Sequence, residues 1–130
     1  MVIAMRNLVA LLIGIVWLIG LWFPVHAAAN ARLDTLVAKI DRLENYVYEN
    51  NWQDIRTYIR GPLGQLRREL ALVQRDLPNE QKPKFKSLSN QFLNDLIDLD
   101  FAALNQSADR TEAAFKALKN DLSKMLDSLE

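Results

Sequence analysis

The chain is 130 residues long, short enough for one domain, and it contains no cysteine, so disulfides, thiolate nucleophiles and thiolate metal sites are excluded. Lys plus Arg equals Asp plus Glu at 16 each, and that balance gives no electrostatic reason for nucleic-acid binding, which needs a basic surface. Half of the residues are apolar, with only four glycines and four prolines, which points away from a linker-rich or disordered chain.

In chain order, Met1–Asn7 carries a single positive side chain, Arg6, and Leu8–Phe23 then runs sixteen residues without a charge. Pro24 breaks the run, and Val25-His26-Ala27 places small residues at the positions a signal peptidase reads. The expected reading of residues 1–27 is a secretory signal peptide cut after Ala27. The alternative is an uncleaved membrane anchor, for which the apolar run is at the short limit. With the cut after Ala27, the mature domain is 28–130, of 103 residues, and it keeps 15 basic against 16 acidic residues and no histidine.

Ala28–Arg32 reads as a short lead. Leu33, Leu36, Val37, Ile40, Leu43 and Val47 recur three or four apart and mark a first helix with Lys39, Asp41, Arg42 and Glu44 mainly outward. Asn50-Asn51 is the turn. Either asparagine is a candidate cap for a second helix, whose first-turn Asp54 suits the positive end of the helix dipole.

That second helix is the longest amphipathic stretch, Trp52–Leu77, with Trp52, Ile55, Ile59, Leu63, Leu66, Leu70, Val73 and Leu77 on one stripe. It contains Gly61-Pro62-Leu63-Gly64. A proline inside a helix removes a hydrogen bond and clashes with the preceding turn, at about 3 kcal/mol. Two readings are open: a kinked but continuous helix, or a short helix Trp52–Arg60 followed by a second one starting at Pro62. The apolar phase from Ile59 to Leu63 to Leu66 favours the continuous, kinked form.

Leu77-Pro78 ends this rod, and Pro83 suits the first turn of a third helix marked by Phe85, Leu88, Phe92, Leu96 and Leu99, with Leu93 and Ile97 broadening its apolar side. Asp100 is a candidate cap for a fourth helix carrying Leu104, Ala108, Thr111, Phe115, Leu118, Leu122, Met125, Leu126 and Leu129. No strand pattern competes. The expected fold is therefore all-α, an up-down-up-down antiparallel four-helix bundle preceded by the apolar signal or anchor segment.

Chemistry is sparse. Hydrolytic triads need a base such as histidine beside a nucleophile, and di-iron bundles need inward Glu-x-x-His pairs. The one histidine, His26, lies in the signal region, so the chain is expected not to be an enzyme and to hold no catalytic or transition-metal site. Asp95, Asp98 and Asp100, or Asp121 and Asp127, are carboxylates able to hold calcium loosely through oxygen; a solvated helix face explains them as well, since no loop has EF-hand spacing. Arg56, Arg60, Arg67 and Arg68 form a basic cluster on the second helix. It reads either as solvated residues paired with Glu69 or Asp54, or as a docking patch for an acidic partner surface. Trp52, with Tyr46 and Tyr48, is either rim packing or a partner anchor. The candidate docking residues are Trp52, Arg56, Arg60, Pro62, Arg67 and Arg68.

Trp52, Ile59-Arg60-Gly61-Pro62-Leu63-Gly64, Leu66 and Arg67-Arg68-Glu69-Leu70, followed by Leu96-Ile97-Asp98-Leu99-Asp100-Phe101-Ala102-Ala103, resemble the signature of the PsbQ family, in its cyanobacterial, CyanoQ-like form. The resemblance runs from about Leu33 to Leu129. It implies a non-enzymatic four-helix protein, extrinsic to photosystem II in the thylakoid lumen and peripheral to the thylakoid membrane. Such a protein helps stabilise the oxygen-evolving complex and its calcium and chloride retention. The implied partners are the photosystem II core and the other extrinsic lumenal subunits. Cyanobacterial members usually carry a lipidated cysteine after the signal, where this chain has Ala27 or Ala28; the long proline-rich extension of the plant members is also missing. A soluble lumenal form, an anchored form and a divergent relative all fit that difference. An exported helical adaptor or chaperone-like binding module unrelated to photosynthesis is the alternative function.

Overall fold

A computed structural model of the chain describes residues 30–130; the signal or anchor segment expected over 1–27 lies outside them. Among the described residues the protein is all-helical, with five helices and no strand. We label them α1 (30–48), α2 (Trp52–Arg60), α3 (Leu66–Asp76), α4 (Lys82–Leu104) and α5 (Ala108–Asp127). The lead expected at Ala28–Arg32 is already helical over 30–32.

Each helix forms for a reason visible in its own residues. In α1 the buried side chains are Leu33, Leu36, Ile40, Leu43 and Val47; in α5 they are Thr111, Phe115, Leu118, Leu122 and Met125. Both sets alternate steps of three and four, the spacing that keeps one stripe of a helix facing inward. α4 does the same through Phe85, Ser89, Phe92, Leu96, Leu99 and Ala103, and Pro83 sits in its first turn, where a missing N–H costs nothing. α4 is the central element, packing against α2, α3 and α5. α1 reaches α5 through the Lys119–Glu44 ion pair at 2.7 Å and α2 through the edge-to-face rings of Tyr46 and Tyr58, whose centroids are 5.6 Å apart.

The turn between α1 and α2 is built by its two asparagines. Asn50 takes a left-handed φ of 51°, a conformation asparagine tolerates better than most residues. Asn51 is the N-cap of α2: its Oδ1 accepts from Asp54 N–H at 3.2 Å, and its Nδ2 donates to Asp54 Oδ2 at 2.6 Å. Asn51→Ala is expected to lower stability by about 1 kcal/mol, read as an earlier urea midpoint. An unchanged midpoint would mean that the cap is dispensable.

The rod expected to be continuous from Trp52 to Leu77 is instead divided. Residues 61–65 are turns, and α3 begins at Leu66 rather than at Pro62. Pro62 has no N–H, so the chain resumes with a wide turn in which Leu63 N–H donates to Tyr58 O at 3.1 Å, followed by tight turns from Gly64 N–H to Gly61 O and from Leu66 N–H to Leu63 O. The wide turn absorbs one extra residue. Burial therefore steps from Tyr58 to Leu63, five positions, where the sequence suggested Ile59 to Leu63; Ile59 is only half-buried. The apolar stripe survives the break because that turn returns Leu63, Leu66, Leu70 and Val73 to the core.

The boundary between the last two helices also moves. α4 runs past Asp100 to Leu104, and the cap of α5 is Ser107, whose hydroxyl accepts from Arg110 N–H at 3.3 Å. Asp100 is thus a mid-helix residue, and Leu104 ends α4 instead of opening the stripe of α5. The sequence misleads here because Asp100 has a capping side chain but is required for a different contact.

Candidate docking surface

That contact is the centre of the site. Arg56 and Arg60 lie four apart on α2, so both side chains emerge on the same face, toward α4. Arg56 Nε donates to Asp100 Oδ1 at 3.2 Å and Arg60 donates to Asp100 Oδ2 at 3.4 Å. The pairing proposed with Glu69 or Asp54 is therefore replaced by pairing across helices to Asp100. One carboxylate serves two guanidinium groups and fixes their orientation on the α2–α4 seam. Arg60 remains 64% exposed and keeps further N–H groups free toward solvent.

Two grooves flank this seam. One, of about 330 Å³, is lined by Trp52, Gln53, Arg56 and Thr57 from α2 with Ala103 and Leu104 from α4. The other, of about 250 Å³, brings Arg67 of α3 and Leu63 of the break against Ile97 and Asp100 of α4. Trp52 is half-buried at the rim of the first. Pro62 is exposed, and its carbonyl accepts from Lys39 Nζ at 3.3 Å, tying the break to α1. Arg67 and Arg68 are exposed and make no ion pair among the described residues. Of the six candidates, Trp52, Arg56 and Arg60 share one groove and Arg67 lines the next. Arg68 lines neither of these grooves.

The break is held by a close backbone approach at Gly64. A Cβ added there would lie 2.6 Å from Arg60 O and 3.1 Å from Gly61 O. A side chain at 64 therefore requires the backbone at Arg60 or at the turn itself to shift.

The carboxylates proposed for calcium are not assembled in either of the two groups read from the sequence. Asp100 turns to the arginines of α2, Asp98 is exposed, and Asp95 faces Asp121 of α5. Among the described residues no three acidic or histidine side chains are grouped to hold a metal ion. Asp95 Oδ2 is buried, and no N–H or O–H of the ionised protein reaches it. A hydrogen bond between Asp95 and Asp121 therefore exists only when one of them carries a proton. Burial, then that hydrogen bond and the negative charges of Asp121 and Asp98, push the Asp95 carboxyl up to about 7. This pair, and the exposed Phe101, escaped the sequence reading. Their signal is tertiary, since nothing in the spacing of Asp95 and Asp121 marks them as neighbours.

No described helix is long and apolar enough to cross a membrane. Among the described residues the site is thus a surface on an all-helical protein, with two arginines paired to one carboxylate beside two open grooves. The family model for PsbQ, described as oxygen evolving enhancer protein 3, matches residues 21–130, so the chain belongs to the PsbQ family. It is similar to CyanoQ of Synechocystis sp. (strain ATCC 27184 / PCC 6803 / Kazusa), at 36% identity over 89 residues. The match covers 68% of this chain and 59% of that relative's length.

Proposed function

We propose that the protein is a non-catalytic extrinsic subunit on the lumenal side of photosystem II, where it stabilises the oxygen-evolving complex by docking to the core and to neighbouring extrinsic subunits. In this reading residues 1–27 direct export and are removed or retained as an anchor. Residues 28–130 form the working domain, an up-down-up-down antiparallel four-helix bundle in which α2 and α3 together count as one broken rod. The protein is then peripheral to the thylakoid membrane. The carrying observation is the α2–α4 seam, where Arg56 and Arg60 are oriented by a single carboxylate in a chain of the PsbQ family. Oriented guanidinium forks favour recognition of carboxylates and speed encounter with an acidic surface. Trp52, Pro62, Arg67 and Arg68 complete the proposed contact.

The test is fractionation. The protein is expected to copurify with oxygen-evolving photosystem II, to leave it in a high-salt wash, and to rebind on dilution, because exposed ion pairs are screened by salt. A protein that stays soluble and never copurifies would remove this reading in favour of an exported adaptor.

A further inference from the structure

Four large apolar side chains are strongly exposed among the described residues: Tyr48 at 79%, Ile97 at 59%, Phe101 at 61% and Leu104 at 50%. Three of them belong to α4, at positions i, i+4 and i+7, which is one face of one helix. That face is the part of α4 its neighbours leave uncovered, and a contiguous apolar row of this kind on a small domain marks a contact surface. On one side of it lies the seam with α2, carrying Arg56, Arg60 and Arg67 against the single carboxylate of Asp100, a surplus of two positive charges across the two grooves. By helical spacing the other side is bordered by Asn94, Asp98 and Asn105.

We infer that the row Ile97–Phe101–Leu104, with Arg56, Arg60 and Arg67 beside it, seats an acidic amphipathic segment of a partner protein. The partner's apolar side chains lie along the row and its carboxylates fall on the arginine side, away from Asp98. This rests on the seam being a docking face, but not on which complex provides the partner. Charge complementarity selects the occupant. A second copy of the chain packed antiparallel on the same face, by a two-fold axis perpendicular to α4, would set one arginine surplus against another. A bilayer surface is flat, whereas the α2 side of the row opens into two grooves of about 330 and 250 Å³ that accept side-chain knobs. Arginine forks oriented by Asp100 also suit the planar geometry of carboxylates.

The experiment is site-specific photocrosslinking of the full chain, with Phe101→p-benzoylphenylalanine introduced in cells that naturally make the protein. Irradiation is followed by sequencing of the adducts. The expected adduct is a segment with apolar residues at helical spacing and Asp or Glu beside them. Arg60→Glu or Arg67→Glu in the same background is expected to lower its yield about tenfold. Both arginines are exposed, and Arg67 makes no ion pair, so melting of the Arg67 variant should match the parent and separate lost docking from lost folding. An adduct to lipid, an adduct to another copy, no adduct, or a yield indifferent to Arg67→Glu overturns the inference. If the acidic segment belongs to a protein outside photosystem II, the inference stands and the photosystem reading falls. If the protein copurifies with photosystem II yet position 101 yields no such adduct, the reverse holds.

Discussion

Gly64→Val is expected to destabilise the protein by about 3 kcal/mol, read as a melting temperature lower by roughly 15 °C for a domain of this size. The first side-chain carbon would meet the backbone oxygen of Arg60 at 2.6 Å and that of Gly61 at 3.1 Å. Neither is the end of a flexible side chain, so the turn itself must open. Gly64→Ala carries the sharper information because its sign depends on the structure. In a continuous helix, replacing glycine by alanine gains about 1 kcal/mol. In the divided rod the same change must lose stability, and lose more than Gly61→Ala, whose added carbon meets one carbonyl oxygen at 3.0 Å. Alanine at 64 raising the melting temperature would restore the kinked continuous helix and remove the turn described over 61–65. The variant also tests the proposed docking face, since Arg60 and Arg67 stand on opposite sides of this turn and their spacing depends on it.

Asp95→Asn is the second large effect, and it should stabilise. Burial and the neighbouring carboxylates push the Asp95 carboxyl up to about 7 in the folded protein, from an ordinary value of 3.8. Between those values the folded state binds more protons than the unfolded chain, so wild-type stability falls as pH rises from about 4 to about 7. Asparagine carries no charge to bury and offers an N–H to the Asp121 carboxylate. The variant is expected to gain about 2 kcal/mol at pH 8, after allowing for the partial exposure of the site, and little at pH 4. Urea unfolding of both proteins across this range checks it. Parallel profiles would show that Asp95 does not hold its proton. Lys124 approaches Asp121 at 4.0 Å, an outer contact that leaves the inner Asp95 oxygen without a donor.

Much of the helical content is legible from the order of residues because burial on a helix has a fixed period. Leu33 to Val47, Phe85 to Leu99 and Thr111 to Met125 announce their inward stripes by steps of three and four, and the structure buries those stripes except that Ser89 takes the buried place expected for Leu88, which is half-buried. Asn51 and Pro83 are legible for a related reason, since a cap and a first-turn proline act within a few residues of themselves. The absence of cysteine and the confinement of histidine to position 26 likewise limit chemistry before any folding is considered.

The rest is not local. Whether Gly61-Pro62-Leu63-Gly64 bends a helix or divides it depends on which residue the core accepts next, and the core takes Tyr58 and Leu63. Asp100 has the side chain of a cap but is drawn into α4 by two arginines forty and forty-four positions away in sequence. Ile97 and Leu104 look like core residues and are left outside, because α2, α3 and α5 already surround the other faces of α4. Sequence by itself determined the helical class, the buried stripes of the first and last helices, a cap at one of Asn50 and Asn51, and the poverty of catalytic groups, since those follow from local periodicity and composition. Tertiary structure alone decided which apolar face stays open, which carboxylate the arginines share and which carboxyl is pushed upward by burial beside Asp121, since each is a contact between residues far apart in the chain.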